Sequence, residues 1–214
     1  LSERRIKEIH SAIMHEENPE SKSKIGQWKQ QANEIINSKG EKYLFVAPEL
    51  VPERMHDLLN RTNAAIDAIQ SNSKNAPHPI DVALQFHLEY LEIHPFYDGN
   101  GRTARIWQTA ILSHWEKAFT YLPIESMIKK SQNEYYKVID NCNKAGNATE
   151  FIEFMLKMID DTIDEITKTT TQETAQETTQ EKILKLIKSN PSITQTQMAK
   201  VLGITRDGVS YNIK

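Results

Sequence analysis

His94-Pro95-Phe96-Tyr97-Asp98-Gly99-Asn100-Gly101-Arg102-Thr103-Ala104-Arg105 is the segment of this 214-residue chain from which every other assignment follows. Proline disfavours helical geometry at the residue before it. A helix that arrives through Ile80, Leu84, Leu88 and Leu91, spaced by 4, 4 and 3, therefore ends at His94. That places His94 at a helix terminus, facing outward rather than packed in the apolar stripe. Gly99 and Gly101 bracket Asn100 and permit positive φ and close backbone approach to a ligand. A new helix is expected to start near Arg102, with its free N–H groups turned into the same loop, which is an anion site by geometry. Arg102 and Arg105, three apart, are neighbours on one face of that first turn. Cations there oppose the helix dipole, and their placement makes sense when a polyphosphate lies between them. Asp98 adds a hard oxygen ligand where Mg²⁺ could bridge phosphates, and His94 is a base whose pKa lies close to neutrality.

Working outward, helical periodicity dominates. Ser2 reads as an N-cap, with Ile6, Ile9, Ile13 and Met14 as the stripe that follows. Gln31 to Ile36 and Tyr43 to Val46 flank Asn37-Ser38-Lys39-Gly40, the pattern of a β-hairpin with a glycine in its turn. Met55 to Ile69 is helical, and so is Phe151 to Ile166 through Met155, Leu156, Ile159 and Ile163. Residues 167–180 hold seven threonines and no large apolar residue, so they read as a linker or an exposed helix extension. The apolar face resumes at Ile183, and the domains are read as 1–166, a linker 167–180, and 181–214. The fold class is mainly α: a helical bundle with a small β-hairpin flap, plus a small C-terminal helix-turn-helix unit.

Composition narrows the function. The net charge is −3, distributed as −6 over residues 1–166, −1 over 167–180 and +4 over 181–214. A basic tail on an acidic body leaves nucleic-acid contact to the tail alone. The single cysteine, Cys142, excludes an internal disulfide and fits a reducing, cytoplasmic setting. No apolar run approaches the roughly 20 residues of a membrane span. The start, Leu1-Ser2-Glu3, has no initiator Met and no signal-like segment, and reads as an N-terminally trimmed chain.

Residues 94–105 match every fixed position of H-P-F-x-[D/E]-G-N-G-R-x-x-R, and here the sequence resembles the Fic (filamentation) family over roughly residues 1–166. The resemblance implies a Fic-type bundle with its flap around Gly26 to Val46, and transfer of AMP from Mg-bound ATP to a Ser, Thr or Tyr hydroxyl of a protein target, which could be the chain itself. It implies His94 as the base, Phe96 as the core anchor of the loop and Asp98 as the Mg²⁺ ligand. Gly99, Asn100 and Gly101 become the anion hole, and Arg102 and Arg105 the phosphate-binding arginines. Tyr135-Tyr136 followed by Asn143 resembles the lining of the adenine pocket, with Tyr136 and Asn143 as the nucleotide contacts. The flap residues Ala32, Asn33, Glu34, Ile35 and Ile36 form the expected target-docking edge, by strand addition; Ile35 and Ile36 packing onto the body is the competing reading. Other members transfer UMP, GMP or phosphocholine, or remove AMP, and the motif does not choose among these.

In the tail, Thr194 is the expected N-cap of Gln195 to Leu202, which stops at Gly203, and Thr205 that of Arg206 to Ile213. Met198-Ala199-x-x-Leu202-Gly203-Ile204 resembles the helix-turn-helix of winged-helix regulators, truncated where a wing would begin. Arg206, Ser210, Tyr211 and Asn212 would face DNA; dimerisation, as a homodimer, or protein docking is the alternative use. A nucleotide-sensing DNA-binding regulator is thus the competing function. Many Fic proteins also carry an inhibitory [S/T]-x-x-x-E-[G/N] helix whose Glu pairs with the second motif arginine. The nearest look-alike, Thr169-Thr170-Thr171-Gln172-Glu173, is followed by Thr174 instead of Gly or Asn. The expectation is therefore no internal brake, with Arg105 free for a γ-phosphate.

Overall fold

The Ser2 hydroxyl accepts from the Arg5 N–H at 3.3 Å and so caps helix α1, Glu3–Ile13, a contact of about 1 kcal/mol. Its buried face is Ile6 and, one turn on, His10. The computed structural model describes residues 1–14, 23–36, 42–175 and 179–213. The chain divides into two units, Leu1–Thr162 and Ile163–Lys214.

In the first unit, strands β1 (Glu34–Ile36) and β2 (Lys42–Leu44) pair antiparallel, with Glu34 opposite Leu44 and Ile36 opposite Lys42. Both are shorter than the stretches the sequence suggests. Gln31 to Asn33 carry no strand pairing, Phe45 and Val46 have already left the ladder, and Val46 packs on the core. The turn expected at Asn37 to Gly40 lies outside the described residues, and so do the side chains of Ile35 and Ile36.

Helices α2 (Val51–Gln70), α3 (Pro79–Ile93), α4 (Asn100–Trp115), α5 (Ile124–Lys130), α6 (Gln132–Ala145) and α7 (Thr149–Ala175) follow. Pro79 at the first turn of α3 supplies a preset φ and needs no donor. Val82, Ala83, Leu84, Phe86, Leu88, Tyr90 and Ile93 are buried around much of its circumference, as a central helix requires. The helix packs most extensively on α4, through Ala104, Trp107, Ile111 and Leu112 of the shared core. Of the stripe read in α7, Phe151, Met155 and Ile159 are core, whereas Leu156 and Ile163 are exposed.

The second unit takes the end of α7 with α8 (Thr179–Ser189), α9 (Gln195–Leu202) and α10 (Arg206–Ile213). Its small core is Ile183, Met198, Ala199 and Val209. Thr194 and Gln197 form a reciprocal capping box at the start of α9, and Gly203 ends that helix at φ 66°. Of the two forms expected for the threonine-rich run, helix extension is the one observed as far as Ala175.

Two imidazoles sit inside the first unit, His10 at 3% and His87 at 0% exposure. Burial is the main cause that lowers both, His87 to about 4. A histidine held neutral when folded but free to protonate near 6.5 when unfolded stabilises the fold above that value, and the contribution is lost as pH falls. The thermal midpoint should therefore drop as pH goes from 7 to 5, a window in which most carboxylates stay ionised. A midpoint that stays level across it would show that these imidazoles are not held neutral.

Candidate functional site

The loop between α3 and α4 is closed by its own side chains. Asn100 Oδ1 accepts from the Phe96 N–H at 2.9 Å, and Asn100 Nδ2 donates to the Phe96 carbonyl at 2.8 Å. The Phe96 ring is fully buried and stacks on His10 with centroids 3.7 Å apart. His10 then fixes the other side of the loop. Its Nε2–H donates to the Asp98 carbonyl at 3.0 Å while Nδ1 accepts from the Gly26 N–H at 2.9 Å. Only a neutral ring can do both.

The base of the flap grips the same loop. The Lys29 N–H donates to the Pro95 carbonyl at 2.8 Å, Asn33 Nδ2 to the Phe96 carbonyl at 3.0 Å, and the Gln30 N–H to the Tyr97 hydroxyl at 2.9 Å. The Lys29 ammonium is 2% exposed and donates to Asn33 Oδ1 at 2.8 Å and the Ile93 carbonyl at 3.3 Å. Burial pushes it down to about 8. Asn33, assigned from sequence to the target-facing edge, thus turns its side chain inward, whereas Ala32 and Glu34 of that set are exposed.

His94 ends α3 as expected, in the left-handed region at φ 50°, ψ 60°. That conformation costs an L-residue about 1–2 kcal/mol, so it persists because its surroundings impose it. Nδ1–H donates to the Leu91 carbonyl at 3.3 Å, which leaves the lone pair on Nε2. The ring stacks on Phe45 with centroids 3.8 Å apart. Burial pushes its pKa down to about 4, and the nearby Lys29 charge acts in the same direction. His94 is therefore neutral at pH 7, and half-buried rather than outward.

Helix α4 begins at Asn100, two residues before the expected start, because Gly99 at φ 76° serves as its N-cap. The first helical bond runs from the Thr103 N–H to the Gly99 carbonyl at 2.9 Å. The N–H groups of Asn100, Gly101 and Arg102 thus have no intrahelical acceptor. Since the Asn100 side chain is engaged with Phe96, its backbone N–H is what it offers an anion. Gly101 departs from expectation: its φ is not positive. Its lack of a Cβ matters for space, since a Cβ there would stand 3.0 Å from Arg105 Nη1. Asp98 is exposed; its Oδ1 accepts from the Gly99 N–H at 2.6 Å, and its Oδ2 lies 3.4 Å from Arg102 Nη2.

Arg105 is not free. Its Nε and Nη2 both donate to the Glu125 carboxylate on α5, the latter at 2.7 Å. The expectation of an unengaged arginine is overturned, and the carboxylate comes from outside the threonine-rich run. The side chains of Thr169 to Thr174 lie outside those described. Arg105 is 15% exposed and Glu125 68%, so the arginine is fixed and the carboxylate sits on the solvent side. Tyr136 is exposed, edge-on to the buried Tyr135 with centroids 5.4 Å apart. Asn143 Oδ1 is buried without a hydrogen-bond partner among the described residues. No group of three or more His, Cys, Asp or Glu that could hold a metal occurs among the described residues, which leaves Asp98 as the single carboxylate of the loop.

In the second unit Arg206 and Tyr211 are exposed, Ser210 is half-buried, and the Asn212 amide donates back to the Gly208 carbonyl at 2.7 Å. No helix among the described residues is long and apolar enough to cross a membrane.

A family model described as the Fic/DOC family matches residues 1–112, and one described as winged helix-turn-helix DNA-binding matches residues 176–214. The chain is 34% identical over 114 residues to the protein adenylyltransferase Fic of Nematostella vectensis, covering 53% of this chain and 25% of that protein. It is 32% identical over 116 residues to the protein adenylyltransferase fic-1 of Caenorhabditis briggsae, covering 54% and 20%. It thus spans a quarter or less of the length of these relatives. The crystal structure of a Fic family protein from Desulfovibrio desulfuricans G20 superposes with a TM-score of 0.67 at 28% identity, over 99% of this chain and 60% of that one.

A carboxylate that occupies a guanidinium competes with any phosphate for it. Glu125→Ala should bind inorganic tripolyphosphate more tightly, by roughly three- to tenfold on titration calorimetry. Weaker binding would mean that Glu125 orients Arg105 instead of competing for it.

Proposed function

Because the chain belongs to the Fic/DOC family, we propose that it is a nucleotidyltransferase that moves AMP from Mg-bound ATP to a hydroxyl group of a protein. The observation that carries this reading is the loop itself: a neutral imidazole with its lone pair on Nε2 beside a helix N-terminus with three N–H groups lacking helical acceptors. Such a pairing suits a reaction in which a hydroxyl must be deprotonated and a polyphosphate held.

In that reading His94 Nε2 takes the proton of the target hydroxyl. The oxygen attacks the α-phosphorus in line, the bond to the bridging oxygen of the β-phosphate breaks, and pyrophosphate leaves. The N–H groups at the start of α4 receive the developing charge, while Arg102 and Arg105 hold the outer phosphates. Negative phosphates beside His94 offset the burial that lowers its pKa, so its basicity rises when the nucleotide is seated. One exposed carboxylate with phosphate oxygens and water is a usual donor set for Mg²⁺, and Asp98 fits it. The ion would neutralise charge between the phosphates. The unpaired Asn143 Oδ1 suits the exocyclic amine of adenine, and the exposed Tyr136 ring suits its face. Such a pair suits a base that carries an exocyclic amine, adenine among them, better than uracil.

His94→Ala should abolish transfer while leaving ATP affinity within about twofold, because the base acts on the hydroxyl. Asp98→Ala should lose the Mg²⁺-dependent activity. The measurement is label retained on protein after incubation with α-labelled ATP, CTP, GTP or UTP. Retention from another nucleotide in preference to ATP would change the assigned substrate, and full transfer by His94→Ala would remove the base.

The match of residues 176–214 to a DNA-binding winged helix-turn-helix favours a second role for the tail. Helix α10 presents Arg206 and Tyr211 to solvent, and residues 181–214 carry +4. We propose that this face contacts DNA phosphates. Affinity of the full chain for duplex DNA should fall steeply with salt, and Arg206→Ala should lower the log–log slope by about one. No binding at low salt would leave protein docking as the role of the tail.

A further inference from the structure

Behind Arg105 lies a line of polar groups with no access to solvent. His87 of α3 is fully buried, with Nε2 2.8 Å from the Tyr135 hydroxyl of α6 and Nδ1 against Gln108 Oε1 of α4. The Tyr135 hydroxyl, on a side chain 1% exposed, also lies close to the Arg105 guanidinium, and the two interact electrostatically. The line therefore runs Gln108, His87, Tyr135, Arg105, and ends at Glu125 in solvent.

The direction of every bond in this line follows from one fact. A guanidinium is cationic and has donors only, so the Tyr135 hydroxyl turns its oxygen lone pairs towards Arg105 and its hydrogen away. Its own hydrogen is then free to point only at His87 Nε2, which must be the unprotonated nitrogen. His87 Nδ1 consequently carries the hydrogen and donates to the Gln108 oxygen. The reverse order would aim the phenolic hydrogen at the guanidinium. Gln108 Oε1 faces Nδ1, as this order demands, while Gln108 Nε2 is buried without a partner among the described residues. Burial keeps the chain neutral from both ends, with His87 lowered to about 4 and the Tyr135 phenol pushed well above its ordinary value. Gly101 lies alongside, where a Cβ would crowd Nη1 at 3.0 Å.

We propose that Gln108, His87 and Tyr135 are positioning residues for Arg105, a one-way hydrogen-bond chain that holds the guanidinium in place while its outer partner changes from the Glu125 carboxylate to the terminal phosphates of a nucleotide. The function of the outer step rests on the nucleotidyltransferase reading; the chain itself does not. The inner partner is buried and has one arrangement, whereas the outer partner is two-thirds exposed and can leave. Preorganisation of this kind shows in contacts with the terminal phosphates and not in contacts with the adenosine end.

The test compares wild type with Tyr135→Phe, which removes one oxygen from a ring that keeps its packing. Calorimetry with Mg-ATP and with AMP should show ATP binding weakened roughly tenfold and AMP binding changed by less than about twofold. Equal losses for both ligands would mark a merely structural residue and overturn the proposal, as would no loss for either. A second readout needs neither nucleotide nor variant: imidazole ¹⁵N spectra of the wild type should show His87 locked as the Nδ1–H tautomer, without titration above pH 5. An Nε2–H tautomer, or titration near 6.5, overturns the chain even where Tyr135→Phe fails to fold. A wild type that binds neither ligand would sink the nucleotide reading, and the spectra would still decide the chain.

Discussion

The reciprocal pair between Asn100 and the backbone of Phe96 holds the molecule's chemistry together. It closes a loop of which one end is a histidine in a left-handed conformation and the other a glycine cap. With the loop closed, the Phe96 ring can fill the space beneath it, and His10 and Trp28 pack on that ring. Opening the pair would leave the buried Phe96 N–H without its acceptor, at a cost of about 1–3 kcal/mol, while the Phe96 carbonyl would keep Asn33 Nδ2. The imidazole of His94 and the helix terminus of α4 keep their relative places because the chain between them is closed by this pair and held from outside by His10, Lys29 and Asn33.

Around that loop the protein keeps histidines neutral by burial and supplies positive charge from arginines. His10, His87 and His94 are all lowered chiefly by loss of solvent, and each has a different task. His10 needs one nitrogen bare and one protonated to join α1 to the loop. His87 transmits a hydrogen-bond direction. His94 keeps a lone pair for chemistry. Fixed charge is left to Arg102 and Arg105, which cannot be discharged at any relevant pH. Each faces a carboxylate in this state, Asp98 for one and Glu125 for the other.

The sequence revealed those features that depend on neighbours along the chain. Pro95 after His94 dictates where α3 ends, Ser2 and Thr194 announce helix starts, and the apolar spacing of Ile80 to Leu91 marks the central helix. The start of α4 was placed two residues late because a glycine N-cap at positive φ leaves no mark beyond the glycine itself. Features that depend on the fold were hidden. Glu125 is twenty residues from Arg105, with no periodicity to join them. His10 occupies an ordinary core position one turn after Ile6, and only its spacing on the buried face hinted at more. Gln108, His87 and Tyr135 come from three helices, so no local pattern could assemble them. Asn33 reads as a flap residue by position, yet its amide reaches the loop because the flap's base folds back on it.

Lys29 gives the grip between flap and loop an experimental handle. An amine with a pKa near 8 is a good nucleophile at neutral pH, but this one is sealed beneath the chain that it anchors. Acylating reagents reach it only while the segment from Lys29 to Asn33 is lifted from Pro95 and Phe96. Its labelling rate, read against that of a surface lysine such as Lys117, is thus a clock for excursions of the flap. A partner that docks on the hairpin and presses it down would slow that clock, and one that pries it up would speed it.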